Sequence, residues 1–304
     1  MKQLFIFILL VFVTSISVHA NTQNRSIYIV LSSGDAIYYD IAESLENTLK
    51  STIASSPKIN IITLESGTLD TIETEDLLIA IGAKAAQEVY RYQSSNTIIY
   101  SFVEQQLISK LNPAKLSKEW AAVTVNQPVK RLVSIAENLV KNNYKNKIII
   151  LLSKNNTKLK RDLANIQDLK KGRLETIEVE SNDILAKVAE KSLFNAAALI
   201  STDEEAIWSG SNAKWLLREA YSYQVPVVGN SKRFLKAGAL ISVYSSMEKI
   251  SQTTSLLIGQ WVDNGLIINT GIHYVPSTID INKNVAQALN YDENVLQTLK
   301  VDEQ

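Results

Sequence analysis

The sequence predicts an α/β protein of two lobes, each a parallel sheet flanked by helices, and three observations lead there. Short apolar runs rich in β-branched residues alternate with segments of helical period along nearly the whole chain. The alternation breaks once, after Phe102, and then resumes, so that two similar series follow one another. No tandem repeat, low-complexity tract or long glycine- or proline-rich linker stands between them, which predicts lobes joined by short paired chain crossings, a multi-strand hinge.

From the amino terminus, Met1 to Ala20 has the anatomy of a cleavable export signal: Lys2, an apolar run from Leu4 to Val13, small polar residues from Thr14 to Ser17, and Val18 and Ala20 at the positions a signal peptidase prefers. The apolar run falls short of the roughly 20 residues that span a bilayer. In the first series, Ile27 to Leu31, Ile59 to Leu64, Leu77 to Ile81 and Thr97 to Phe102 read as strands, with helices starting near Ala36 and Lys84. Thr68 to Glu75 is too short and acidic for a helix. The stretch holding Asn112, Pro113 and Trp120 is irregular, and Ala121 to Val125 followed by Gln127-Pro128 reads as the passage between lobes.

The second series runs helix Val129 to Lys141, strand Ile148 to Leu152, helix Thr157 to Lys170, strand Glu175 to Val179, helix Asp183 to Leu193 and strand Ala197 to Ile200. Helix Ala213 to Tyr223, strand Val225 to Val228, a short helix near Lys232, strand Leu240 to Tyr244 and helix Met247 to Val262 continue it.

Composition removes several function classes. Lys plus Arg and Asp plus Glu each total 31, so nothing favours a nucleic acid or an anionic membrane surface as partner. With no cysteine the chain carries no disulfide, no thiolate chemistry and no lipidated amino-terminal cysteine; an exported protein without that tether fits a compartment closed by an outer membrane, the periplasm. Only His273 remains after the signal, so no zinc, haem or iron–sulfur centre is expected. There is no GxSxG elbow and no HExxH, and the turn through Gly82 lacks the GxGxxG and GxxxxGK[ST] spacings, so neither an enzyme nor a nucleotide cofactor is expected. An exported hydrolase on a similar scaffold, working through Ser33 or Asp203, is the rival from another class.

In open parallel sheets ligands bind beyond the carboxyl ends of the strands. The residues there are Ser33, Gly34 and Asp35 after the first strand, Gly82 and Lys84 after the third, Ser101 and Phe102 at the fourth, and Ser153, Asp203, Asn230 and Tyr244 in the second series. Small hydroxylic residues and glycines let a ligand approach the backbone, and aromatic residues form walls around it. The same residue types cap helices, and the sequence alone leaves both roles open.

The stretch Val227 to Ser246, VVGNSKRFLKAGALISVYSS, resembles the ABC-transporter substrate-binding family that includes tryptophan- and tyrosine-binding members. Gln127-Pro128, Ile81-Gly82-Ala83 with Ala85-Ala86, and Ile279-Asp280-Ile281-Asn282 with Ala286 to Leu289 are similar to that family too. The resemblance implies a type I periplasmic-binding fold of two Rossmann-like lobes, crossed near Val125, Tyr244 and Leu266. One lobe would comprise residues 21–124 and 245–266, the other 125–244 and 267–304. It further implies a monomer that captures a small molecule, an aromatic or branched amino acid, and presents it to the permease of an ABC importer or to a membrane sensor. The first loop, Ser32-Ser33-Gly34-Asp35, departs from the family's amino-acid binders in having no histidine or glutamate beside a proline.

Overall fold

A computed structural model describes residues 25–53, 57–64, 69–92, 95–116, 119–141, 147–167, 172–180 and 183–301; the predicted export segment lies outside the described residues. The first lobe is built from β1 (Ser26–Leu31), α1 (Ala36–Thr52), β2 (Lys58–Thr63), β3 (Leu77–Ile81), α2 (Ala83–Tyr92), β4 (Thr97–Val103), α3 (Gln105–Leu111) and β5 (Trp120–Thr124). The second takes α4 (Val129–Leu139), β6 (Lys147–Ser153), α5 (Thr157–Gln167), β7 (Leu174–Val179), α6 (Leu185–Leu193), β8 (Ala196–Ile200), α7 (Glu205–Trp208), α8 (Gly210–Ser222), β9 (Val227–Gly229), α9 (Lys232–Ala237) and β10 (Ile241–Tyr244). The chain ends with α10 (Met247–Asn264), β11 (Gly271–Tyr274), β12 (Thr278–Ile281), α11 (Lys283–Ala288) and α12 (Glu293–Val301).

The strands form two six-stranded sheets, ordered β11-β5-β4-β3-β1-β2 and β12-β10-β9-β8-β6-β7. All described pairings are parallel except β10 with β12, an antiparallel edge. Helices cover both faces of each sheet, so the inner strands are apolar on both sides. Every residue of LLIAI in β3 and of AAALI in β8 is buried, which explains why these strands read as unbroken apolar runs.

Each sheet separates two cores. In the first lobe one face packs Ile41, Leu45 and Leu49 of α1 and Ile250, Leu257 and Ile258 of α10, while the other packs Ala85, Ala86 and Val89 of α2. Each large aliphatic side chain sealed in this way contributes about 1.5–3 kcal/mol. α10 begins at Ser246, whose hydroxyl accepts from Lys249 N, and ends at Gly265 with φ 73°, a left-handed stop that favours glycine.

The chain passes between lobes after β5, after β10 and between β11 and β12. The last passage corrects the sequence expectation of a crossing near Leu266 with residues from 267 onward in the second lobe. β11 pairs in parallel with β5, placing residues 271–274 in the first sheet, and Ile267 and Val275 are buried in the first lobe's core. The strand is four residues long and half-buried throughout, so it shows neither alternation nor a continuous apolar run. α3 likewise occupies part of the stretch read as irregular.

The three crossings are tied side by side. Gln127 Nε2 donates to Ser245 Oγ (2.8 Å) and to the Val275 carbonyl (3.3 Å), joining the first crossing to the other two. Arg131, one turn into α4, reinforces this by donating to Val275 O at 3.0 Å and to Gln127 Oε1.

Candidate ligand-binding site

The carboxyl ends of both sheets face a common cleft beside the crossings. A cavity of about 490 Å³ opens there, within the size range of small-molecule sites. Gln105 and Gln106 at the start of α3 border it from the first lobe, Gln127 to Lys130 from the hinge, Asn156 from the β6–α5 turn, and Lys158 and Asp162 from α5. Ser201, Thr202 and Asp203 after β8, Asn230 after β9 and Tyr274 at the end of β11 also border it, with Leu132, Leu159 and Ile166 as an apolar floor from α4 and α5.

Most of the first-lobe residues anticipated from the sequence are engaged within that lobe. Ser33 Oγ donates to Asp35 Oδ2 at 2.7 Å, a local turn in which Gly34 and Asp35 are exposed. Gly82 adopts φ 86°, and a Cβ there would lie 2.8 Å from both Ser32 Oγ and the Tyr38 ring, so the β3–α2 turn requires glycine. Ser32, not singled out from the sequence, spans this turn by donating to Ile81 O (2.8 Å) and accepting from Ala85 N (3.0 Å). Lys84 is exposed. Ser101 is fully buried, its hydroxyl 2.7 Å from Thr254 Oγ1 of α10. Phe102 sits at a bulge with φ 57°, a costly conformation for an aromatic residue, and packs half-buried on the α1 and α10 core.

In the second lobe Ser153 serves a buried neighbour. Glu204, 6% exposed, accepts from Ser153 N (3.3 Å), Ser153 Oγ (3.0 Å) and Asn156 Nδ2 (2.7 Å), closing the β6–α5 turn. Tyr244 donates its hydroxyl to Asp280 Oδ2 at 2.8 Å, with Lys232 Nζ 5.9 Å from its ring centroid; burial and that bonded carboxylate push the phenol up to about 12. Of the anticipated residues, Asp203 and Asn230 are the two that line the cavity, and they touch each other.

Asp203 as a residue is open to solvent, yet both of its carboxylate oxygens are engaged. Asn126 Nδ2 donates to Oδ2 at 2.7 Å and Asn230 Nδ2 donates to Oδ1. Loss of hydration, and then the like charge of Glu104, push the carboxyl from 3.8 up to about 6, against the opposing pull of the two amides and Arg233. Asn230 is itself held by Ser201, whose hydroxyl donates to Asn230 Oδ1 and accepts from Asn230 N, each at 3.0 Å.

Thr202 differs from its neighbours. The residue is 7% exposed, it borders the cavity, and its Oγ1 has no hydrogen-bond partner among the described residues. Trp208 Nε1 and Ser231 Oγ, in the loops and short helices after β8 and β9, are also buried without a partner. Of these three, Thr202 is the one that borders the cavity, so the second lobe presents an unmatched hydroxyl there, whereas the hydroxyls at the first lobe's edge are spent.

His273 Nε2 lies 2.8 Å from Asn269 O on β11. No group of three or more His, Cys, Asp or Glu side chains that could hold a metal ion is found among the described residues. No described helix is long and apolar enough to cross a membrane.

No family model matches the chain, and no curated protein does. Solved structures do. A Streptococcus pneumoniae protein described as an ABC domain in complex with L-Trp is 17% identical with a TM-score of 0.57, covering 90% of this chain and 98% of its own. A substrate-binding protein with adhesive properties from Clostridium difficile, in a ligand-free, open structure, is 13% identical with a TM-score of 0.66, covering 88% and 95%. A conserved domain protein from Vibrio cholerae is 14% identical with a TM-score of 0.56, covering 90% and 97%. At these identities the likeness speaks to architecture, and with the paired parallel sheets and triple crossing it gives this chain the type I periplasmic-binding fold.

Proposed function

We propose that the protein is an exported solute-binding protein of the periplasm that captures a small molecule between its lobes, performs no reaction on it, and presents the closed form to a membrane partner. The observation that carries this reading is the cavity at the facing carboxyl edges, bordered by Gln105 and Gln106 from one lobe and by Thr202, Asp203 and Asn230 from the other, beside a triple hinge. A ligand that touches both edges gains contacts only when they approach, so its binding energy selects the closed arrangement. The L-Trp complex of similar fold supports the aromatic side of the expected aromatic or branched amino acid, whose polar end the Ser201 to Asp203 loop would read. An importer permease or a receptor would recognise the closed surface.

Thermal denaturation against a panel of amino acids and common metabolites tests this. A genuine ligand at a hundredfold excess over its dissociation constant stabilises by about 2.7 kcal/mol, an upward shift of several degrees for a chain of this size. Small-angle scattering should then show a smaller radius of gyration with that compound. A compound that stabilises without compaction contradicts the clamp, and turnover of any panel member contradicts the absence of chemistry.

A further inference from the structure

The cavity beside the hinge is polar at the loops after β8 and β9 and apolar along α5. That helix places Leu159, Leu163 and Ile166 at the i, i+4, i+7 spacing of one face. Leu163 is 1% exposed and sealed in the second lobe's core, whereas Leu159 and Ile166 border the cavity, together with Leu132 of α4. Lys158 and Ile166 both border it, and about 12 Å of helix separates them at about 1.5 Å per residue. The cavity is therefore elongated, leading from Asp203 and Asn230 along α5 to Ile166.

The rim above this floor carries balanced charge. Lys158 and Asp162, one turn apart, pair at 3.5 Å, so the rim favours neither sign of charge in what lies beneath it. Lys130 of α4 is exposed and keeps its hydration. The first lobe contributes Gln105, Gln106 and the Tyr274 phenol. The aromatic walls expected from the sequence are engaged elsewhere, Phe102 on the α1 and α10 core and Tyr244 with Asp280.

We infer that the ligand is a primary amine bearing an extended apolar limb, amino acids with large side chains included, and that the limb lies between α4 and α5 on Leu132, Leu159 and Ile166. The inference rests on the reading of the cleft as a solute site and names the chemistry that the site selects. At the polar end the Asp203 oxygens accept from the amides of Asn126 and Asn230, and a carboxylate with about four lone-pair positions keeps capacity for a ligand N–H. Thr202, 7% exposed on the same cavity, adds a hydroxyl without a partner among the described residues. At the other end each methylene that leaves water for the aliphatic floor strengthens binding about fourfold. A short or uniformly polar compound leaves that floor uncovered.

Calorimetric titration of the protein with two series under a constant head, glycine to L-alanine, L-leucine and L-tryptophan, and n-butylamine to n-octylamine, reads the dependence on the limb. Affinity in at least one series should rise at least about tenfold from the shortest to the longest member. Leu159→Gln, at a half-buried position, should weaken the tightest member at least about fivefold. In methyl-labelled wild-type protein that compound should shift the Leu132, Leu159 and Ile166 methyl resonances and leave Ile37, exposed on α1 of the first lobe, unmoved. Affinity that does not grow with the limb, a bound member that leaves the three floor methyls unshifted, or failure of both series to bind overturns the inference. The solute-binding reading is judged separately by compaction in scattering. A sugar or other non-amine that compacts the protein while both series fail removes the amine assignment alone, and limb-dependent binding without compaction keeps the groove while removing the clamp.

Discussion

The carboxyl edges of the two sheets carry the same residue types at matching topological positions, and they use them differently. In the first lobe the hydroxyls of Ser32, Ser33 and Ser101 bond to Ile81 O, Asp35 and Thr254. In the second lobe Thr202 Oγ1, Trp208 Nε1 and Ser231 Oγ are buried without partners among the described residues. An unmatched buried hydroxyl costs about 1–3 kcal/mol. Serine or threonine after a strand is therefore structural where a neighbouring carbonyl, amide or helix lies within reach, and becomes available to a ligand where none does. α10 supplies that reach in the first lobe, because it lies across β4 and offers Thr254 to Ser101.

The largest expected effect breaks the β6–α5 turn of the second lobe. Glu204→Ala removes a buried carboxylate that accepts from Ser153 N, Ser153 Oγ and Asn156 Nδ2, leaving three donors to find other partners. The expected loss is about 3–4 kcal/mol in urea denaturation, from hydrogen bonds to a charged group. A loss below about 1 kcal/mol would show that water replaces the carboxylate freely and that this turn is not a buried network. Gly82→Ala probes the corresponding turn of the first lobe. A side chain at φ 86° beside Ser32 Oγ and the Tyr38 ring should cost about 2–3 kcal/mol and loosen the start of α2, seen as faster amide exchange at Ala85.

These sites also mark what could be read without coordinates. The central strands were legible because burial on both faces leaves no room for polar residues, as in Leu77 to Ile81 and Ala196 to Ile200. Gln127-Pro128 marked the first crossing because proline after a short extended run breaks the rhythm of strand and helix. β11 was not legible, since four half-buried residues carry no periodic signal, and the last crossing was placed too early as a result. Asn126 was missed for another reason. Its importance comes from contact with Asp203, 77 residues away in sequence, and nothing local distinguishes it from an ordinary loop asparagine. Ser101 and Thr202 show the limit most sharply, because both lie at the carboxyl ends of strands and both are nearly sealed from solvent, yet only the fold decides which has a partner.

That pair permits the finest test of the contrast between lobes. Ser101→Ala should cost about 1 kcal/mol of stability, because Thr254 Oγ1 loses one of its two bonds and keeps the one it donates to Ile250 O. Affinity for any ligand should stay within about twofold of wild type, an energy difference under about 0.5 kcal/mol. Thr202→Val removes a hydroxyl with no protein partner and keeps the shape, so folding stability should be unchanged or slightly higher. Its affinity for the ligand found by thermal denaturation should instead fall about fivefold to tenfold, the worth of one neutral hydrogen bond. If Thr202→Val destabilises the free protein as much as Ser101→Ala does, an ordered water already satisfies the threonine, and the second lobe's edge is as fully occupied as the first.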